Sequence, residues 1–239
     1  MGQVLPDLVS IPPNIRVPSV RQARRLLEGS YRSVDDILAA SQELEASRRS
    51  SNASAKGRRR QREVDLLRAA LVFSSSGIDA CMTRLVNDSG RVLIRSPKTG
   101  AHQQYREFLK QAIPANSVDA GLRDRLLDMA IEESVLTYYL SRKTKASFQG
   151  SGDLEKRVVT VLGLPKTTLN QKTKDGLDEF FKARNEIVHE MDFADSTRNS
   201  TARRLRGASE VQEQCYSALN SAAELINATI ATLLEAGLR

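Results

Sequence analysis

From Gln61 onward the apolar side chains recur at helical intervals. Val64, Leu67, Leu71, Ile78, Met82 and Leu85 are separated by three, four or seven residues, which places them on one face of a helix. A half-buried strand would alternate instead. The spacing predicts a long helix ending near Asp88 and Gly90. A second is expected over His102–Ile113, stopped by Pro114. A third is expected from just after Ser117 to about Tyr139, with Leu126, Leu127, Ile131, Val135 and Tyr138 inward. Ser147–Asp153 reads as a loop closing on an N-cap at Asp153, followed by a short helix to Leu162 that Gly163 ends.

The two clearest helices come last. Lys174–Met191 carries Leu177, Phe180, Phe181, Ile187, Val188 and Met191. A final helix opens with Ser209 and Gln212 in capping-box spacing and turns Val211, Cys215, Ala218, Ala222, Leu225, Ile226 and Leu233 inward. With no Trp, 5% aromatic residues and few β-branched runs bounded by turn residues, sandwiches and barrels are poorly supported. The expected fold is all-α, an antiparallel helical bundle over residues 61–239 with a helical N-terminal extension.

That extension divides in two. Pro6, Pro12, Pro13 and Pro18 hold the first 18 residues extended, because each fixes φ and biases its predecessor away from the helical basin. Short helices then fit Ser19–Leu27 and Ser33–Glu45, completing an arm-and-helix unit over 1–46. From Ser47 to Arg60 the sequence SRRSSNASAKGRRR has no apolar period and reads as a basic linker. Residues 1–60 hold 11 Lys/Arg and 6 Asp/Glu, so +5 of the net +7 lies there.

Several function classes drop out. No uninterrupted apolar run approaches the roughly 18 residues of a membrane span, and Met1–Ser10 lacks the charged and apolar regions of a signal peptide. Cys81 and Cys215 have neither metal nor disulfide-framework spacing, which fits a reducing cytoplasm and no structural metal. No phosphate-binding glycine loop, dinucleotide fingerprint or serine triad is present, so no cofactor is expected.

One residue does not fit its surroundings. At 100° per residue, the apolar side chains of Lys174–Met191 all lie within about 60° of Arg184. A guanidinium cannot shed its proton, so burial requires a carboxylate, a phosphate or a wet interface. Asp79, at the rim of the apolar face of the first bundle helix, is a candidate partner. Asn185 and His189 lie four residues apart on a neighbouring face, and His189 is one of two histidines in the chain.

The run Arg184-Asn185-Glu-Ile-Val-His189 resembles the Arg-x4-6-His signature of HEPN domains, with an aliphatic pair before the histidine. The chain is most similar to the RiboL-PSP-HEPN branch, over roughly residues 61–236. The resemblance implies metal-independent RNA cleavage by two motif copies meeting across a homodimer interface. It implies Arg184 and His189 as the catalytic pair with Asn185 between them, and Asp79 and Asp192 as supporting acids. Glu190 departs from the pattern, since relatives often carry a small residue there.

Such cleavage needs a base for the 2′-hydroxyl, an acid for the leaving 5′-oxygen and a cation for the phosphorane. A second His189 from a twofold-related copy supplies the missing imidazole. Arg198, Arg203, Arg204 and Arg206 follow the motif as a cationic segment suited to RNA phosphates. The expectation is a cytoplasmic endoribonuclease, in the manner of a toxin or defence effector held by an antitoxin or regulatory protein. The competing reading is a non-catalytic interaction or RNA-binding module, with Arg184 in a buried structural ion pair.

Overall fold

A computed structural model describes residues 3–11, 17–51, 60–113, 118–195, 197 and 201–238. The fold is an all-helical bundle, and among the described residues the sole β-type contact is one bridge between Phe193 and Arg203. The long helices are α1 (Pro18–Ser51), α2 (Gln61–Arg95), α8 (Gln171–Glu190) and α9 (Ala208–Glu235). Shorter ones are α3 (Gly100–Ala112), α4 (Ala120–Leu126), α5 (Ile131–Thr144), α6 (Ser151–Leu154) and α7 (Thr160–Leu162), with a π-helical turn, Glu155–Val159, joining the last two.

α2 runs through the middle, against α1, α3, α5, α8 and α9. Its predicted stripe of Leu67, Leu71, Ile78, Met82 and Leu85 is buried, as are Leu177, Phe180 and Phe181 of α8 and the full predicted stripe of α9. Each Leu, Ile, Val, Phe or Met among them contributes about 1.5–3 kcal/mol through burial. Burial also pushes the Cys215 thiol up to about 12. Among the described residues only α2 is long and apolar enough to cross a membrane, and half of its most apolar window is buried inside the bundle.

The N-terminal region differs most from the sequence expectation. The two short helices are one, α1, which continues through Ser51 and so absorbs the start of the expected 47–60 linker. Arg48, expected in solvent, is buried and donates to Glu63 at 2.8 Å. Residues 52–59, with Arg58 and Arg59, lie outside the described set. Val20, Leu27, Val34 and Leu38 of α1 share one hydrophobic cluster with α2, α8 and α9. Ser30 and Gly77 make the α1–α2 contact close: a Cβ added at Gly77 would stand 1.9 Å from the Ser30 hydroxyl oxygen. Pro12 and Pro13 of the expected arm are outside the described residues. The part described, 3–11, lies across α1 and α9, with the Val4 and Leu5 amides on Asp35 and Gln212 on the Val4 carbonyl.

Other boundaries shift for local reasons. α2 passes Gly90, which packs against Leu140, and ends at Arg95. The expected third helix is two, α4 and α5, because the Asp128 carboxylate accepts the Ala130 amide and the Ser134 hydroxyl and turns the chain. Leu127 and Ile131, expected inward, are therefore exposed. Gly163 terminates α7 in the left-handed conformation (φ 64°), as expected. α6 starts two residues before Asp153, with the Ser151 amide and hydroxyl both on Asp178. α9 opens after Gly207 with no side-chain cap, so the Ser209–Gln212 box does not form.

Candidate functional site

α8 carries the candidate residues. Asn170 caps its start by accepting from the Thr173 amide at 3.0 Å, and Leu177, Phe180, Phe181 and Ala183 anchor it in the core. One turn later the burial relaxes. Ile187 is half-buried, Val188 and Met191 are exposed, and Arg184 sits among them half-buried.

Arg184 and Asp79 do not form the expected pair. Asp79 instead accepts from the Phe148 amide at 2.8 Å, so its carboxylate holds the segment after α5. The interaction module built on a buried Arg184 ion pair loses its central contact. Arg184 donates through Nη1 to Asn185 Oδ1 at 2.9 Å, and its Nε is buried with no hydrogen-bond partner. An orphaned guanidinium donor is costly, because burial has removed water and nothing has replaced it. With its oxygen engaged by Arg184, the Asn185 amide keeps two N–H donors.

His189 is exposed in the last turn of α8. His102 has a different place. Its Nδ1 lies 2.7 Å from the Ile94 carbonyl and its amide donates to the Thr99 hydroxyl, so it ties the end of α2 to the start of α3.

α8 ends through two successive left-handed residues, Met191 (φ 51°) and Asp192 (φ 59°). Non-glycine residues cost about 1–2 kcal/mol each in that region, so other contacts must hold them. Asp192 supplies them. Fully buried, it accepts from Arg68 Nε at 2.6 Å and from Arg206 Nη2 at 2.6 Å, and its carbonyl accepts from the Arg204 amide at 2.8 Å. Arg68 also reaches Asp65 at 2.9 Å and the Arg204 carbonyl at 3.0 Å. The expected supporting acid is thus a buried hub rather than a group facing ligand.

This network also disposes of the other acids near the motif. Glu186 receives Arg206 at 2.8 Å and Glu190 receives Arg204 at 3.1 Å. Burial pulls the Arg206 pKa down, but the hydrogen bonds it donates to Asp192 and Glu186 more than offset it and leave the pKa raised. On the helix wheel Glu186 and Glu190 lie about 160° and 120° from Arg184, so the acid-and-arginine side and the Arg184 side of α8 are distinct. The charge at Glu190, where relatives often have a small residue, is met by Arg204.

The basic segment accordingly differs from expectation. Arg203 pairs with Asp65, Arg204 with Glu186 and Glu190, and Arg206 with Glu186 and Asp192. Arg204 and Arg206 are thus partners of the chain's own acids rather than free phosphate collectors, while Arg203 only shares Asp65 with Arg68. Arg198 lies outside the described residues. Arg68, Asp65 and Glu186 were missed by sequence reasoning: Arg68 and Asp192 are 124 residues apart, and no local spacing signals such a contact.

Comparison with protein-family models, curated proteins and solved structures finds no match. Among the described residues no group of three His, Cys, Asp or Glu side chains is placed to hold a metal ion. What the arrangement offers chemically is a guanidinium with an unused donor, a polar amide beside it and an exposed imidazole.

Proposed function

We propose that the chain is a metal-independent endoribonuclease whose site is completed between two copies, in the manner of the HEPN domains that its Arg184–His189 run resembles. The observation that carries this reading is the guanidinium of Arg184. It has no ion-pair partner among the described residues and leaves Nε buried and unsatisfied, although Glu186, Glu190 and Asp192 all follow it within eight residues and all have arginines. A cation kept unneutralised where neutralisation is close at hand suits an anionic ligand.

In this mechanism one His189 accepts the proton of the RNA 2′-hydroxyl. O2′ attacks the adjacent phosphorus, the P–O5′ bond breaks, and the second copy's His189 protonates the departing 5′-oxygen. Arg184 stabilises the charge that gathers on the phosphorane, and the Asn185 amide donates to the same group. The products are a 2′,3′-cyclic phosphate and a 5′-hydroxyl. Exposed Val188 and Met191, with half-buried Ile187, give the apolar rim for a self-complementary contact. The setting is the cytoplasm, with a toxin or defence role under an antitoxin or regulatory protein.

The test is purified protein with RNA in EDTA. Cleavage leaving cyclic phosphate ends is expected, together with a dimer by light scattering at micromolar concentration; a strict monomer would leave the mechanism one imidazole short. Arg184→Met separates the readings further. If Arg184 were half of a buried ion pair, its loss would cost about 3–5 kcal/mol. With no carboxylate stranded, the variant is expected to unfold within about 1 kcal/mol of the parent in urea and to have lost cleavage.

A further inference from the structure

A cleft of about 1300 Å³ opens between the end of α1, the start of α2, Phe193 and the residues from Thr201 to Gly207. It exceeds the roughly 300–1,000 Å³ of a small-molecule pocket. We propose that this cleft takes single-stranded RNA on one side of the scissile phosphate, a role that rests on the nuclease reading and extends it to a second surface.

The arginines around the cleft fall into two layers. Arg68 and Arg206 form the inner one, with side chains 8% exposed and locked onto Asp192. They build the wall. Arg49 and Arg203 form the outer one. Arg49 pairs with Glu45 one helical turn away, and its side chain is 70% exposed. Arg203 meets Asp65 at 3.2 Å, but Asp65 already accepts from Arg68 and Gln61 at 2.9 Å each. Solvent-exposed and shared pairs of this kind are weak and screened by salt. Exchanging their carboxylates for phosphates costs little.

The remaining lining is not that of a simple anion trap. The Arg203 guanidinium lies 5.7 Å from the centre of the Phe193 ring, a cation–π arrangement with a flat face on which a base can stack. Leu205 is 75% exposed at the same cleft and offers apolar surface to a base or ribose. Gln61 contributes a neutral amide at the lip. Cations for the backbone alternating with flat and apolar surface for unpaired bases is the pattern of single-strand binding. A paired helix hides its base faces and leaves those surfaces without a use.

The cleft also lies next to the proposed chemistry. Phe193 follows His189 by four residues through the left-handed turn, and Arg204, another lining residue, holds Glu190. His189 sits on the wheel between the Arg184 side of α8 and the side facing this network.

The test measures binding apart from cutting. A fluorescein-labelled 12-nucleotide RNA with 2′-O-methyl riboses cannot be cleaved by 2′-hydroxyl attack, and its anisotropy reports affinity for the full chain. The double variant Arg49→Gln/Arg203→Gln is expected to bind at least about tenfold more weakly in 0.1 M salt. The slope of log K against log salt should fall by about 1.4, two contacts at about 0.7 each on a single strand. Leu205→Asp, at a surface side chain, should weaken binding with the fold intact, and Arg142→Gln on α5 should change nothing. Unchanged affinity and slope in the folded variants would overturn the proposal, as would tighter binding of the equivalent duplex or equal competition by polyglutamate. Binding that depends on these residues without cleavage of ordinary RNA would keep the cleft and remove the nuclease.

Discussion

His189→Ala is expected to abolish RNA cleavage while leaving the fold intact. General acid–base catalysis by one positioned side chain typically accounts for 10²–10⁴ in rate. In a site completed by two copies the substitution removes base and acid together, so a fall of about 10⁴ or more is expected in single-turnover assays. The fold has little at stake. His189 is exposed in the last turn of α8, and surface substitutions of this kind change stability by no more than about 0.5 kcal/mol. Thermal unfolding of the variant should therefore overlay the parent curve. His102→Ala makes the contrast: it removes the link from Ile94 to α3 and should lower stability while sparing cleavage. Residual activity in His189→Ala within tenfold of the parent would end the mechanism, and a large loss of melting temperature would mean that the residue had been misjudged as a free imidazole.

How far these features could be read from residues alone depended on distance along the chain. The α8 and α9 stripes were legible because their apolar period continues unbroken for several turns, and burial followed it residue by residue in α9 and as far as Phe181 in α8, beyond which Val188 and Met191 are exposed. The two short helices expected over Ser19–Leu27 and Ser33–Glu45 are one, because Ser33 is a good local cap but Ser30, just before it, sits where Gly77 lets α2 approach, and packing outweighs propensity. At Asp128 a local signal existed and lost to periodicity: its carboxylate turns the chain between α4 and α5. The Arg184 anomaly was visible from the helical wheel, but its resolution was not. A wheel shows which face a residue occupies, and says nothing about whether an acid on another helix is already committed, as Asp79 is to Phe148.

Asp192→Ala is the substitution expected to damage the fold most. It would leave Arg68 and Arg206, each with a side chain only 8% exposed, without the carboxylate they share. Asp65 and Glu186 stay as their outer partners, but losing the one fully buried carboxylate of such a cluster costs about 3 kcal/mol or more, a large part of the roughly 5–15 kcal/mol that holds a domain together. For a chain of this length the melting temperature should drop by about 10 °C. The loss reaches beyond the two arginines. Met191 and Asp192 stay left-handed because the buried carboxylate anchors the turn, so the end of α8 should fray and amide exchange should quicken from about residue 187 to 206. Asp192→Asn keeps the shape and one acceptor oxygen and should cost less. The triple variant Arg68→Met/Asp192→Leu/Arg206→Met should regain most of the stability, since apolar replacements of buried ion clusters are often neutral or better, and the departure from additivity measures the coupling. It should not regain cleavage, because the left-handed turn that follows His189 is held by the carboxylate the triple variant lacks. Stability restored together with activity would show that the cluster holds the bundle and has no part in positioning His189. A loss below about 1 kcal/mol in Asp192→Ala would show that the hub is not holding the turn at all.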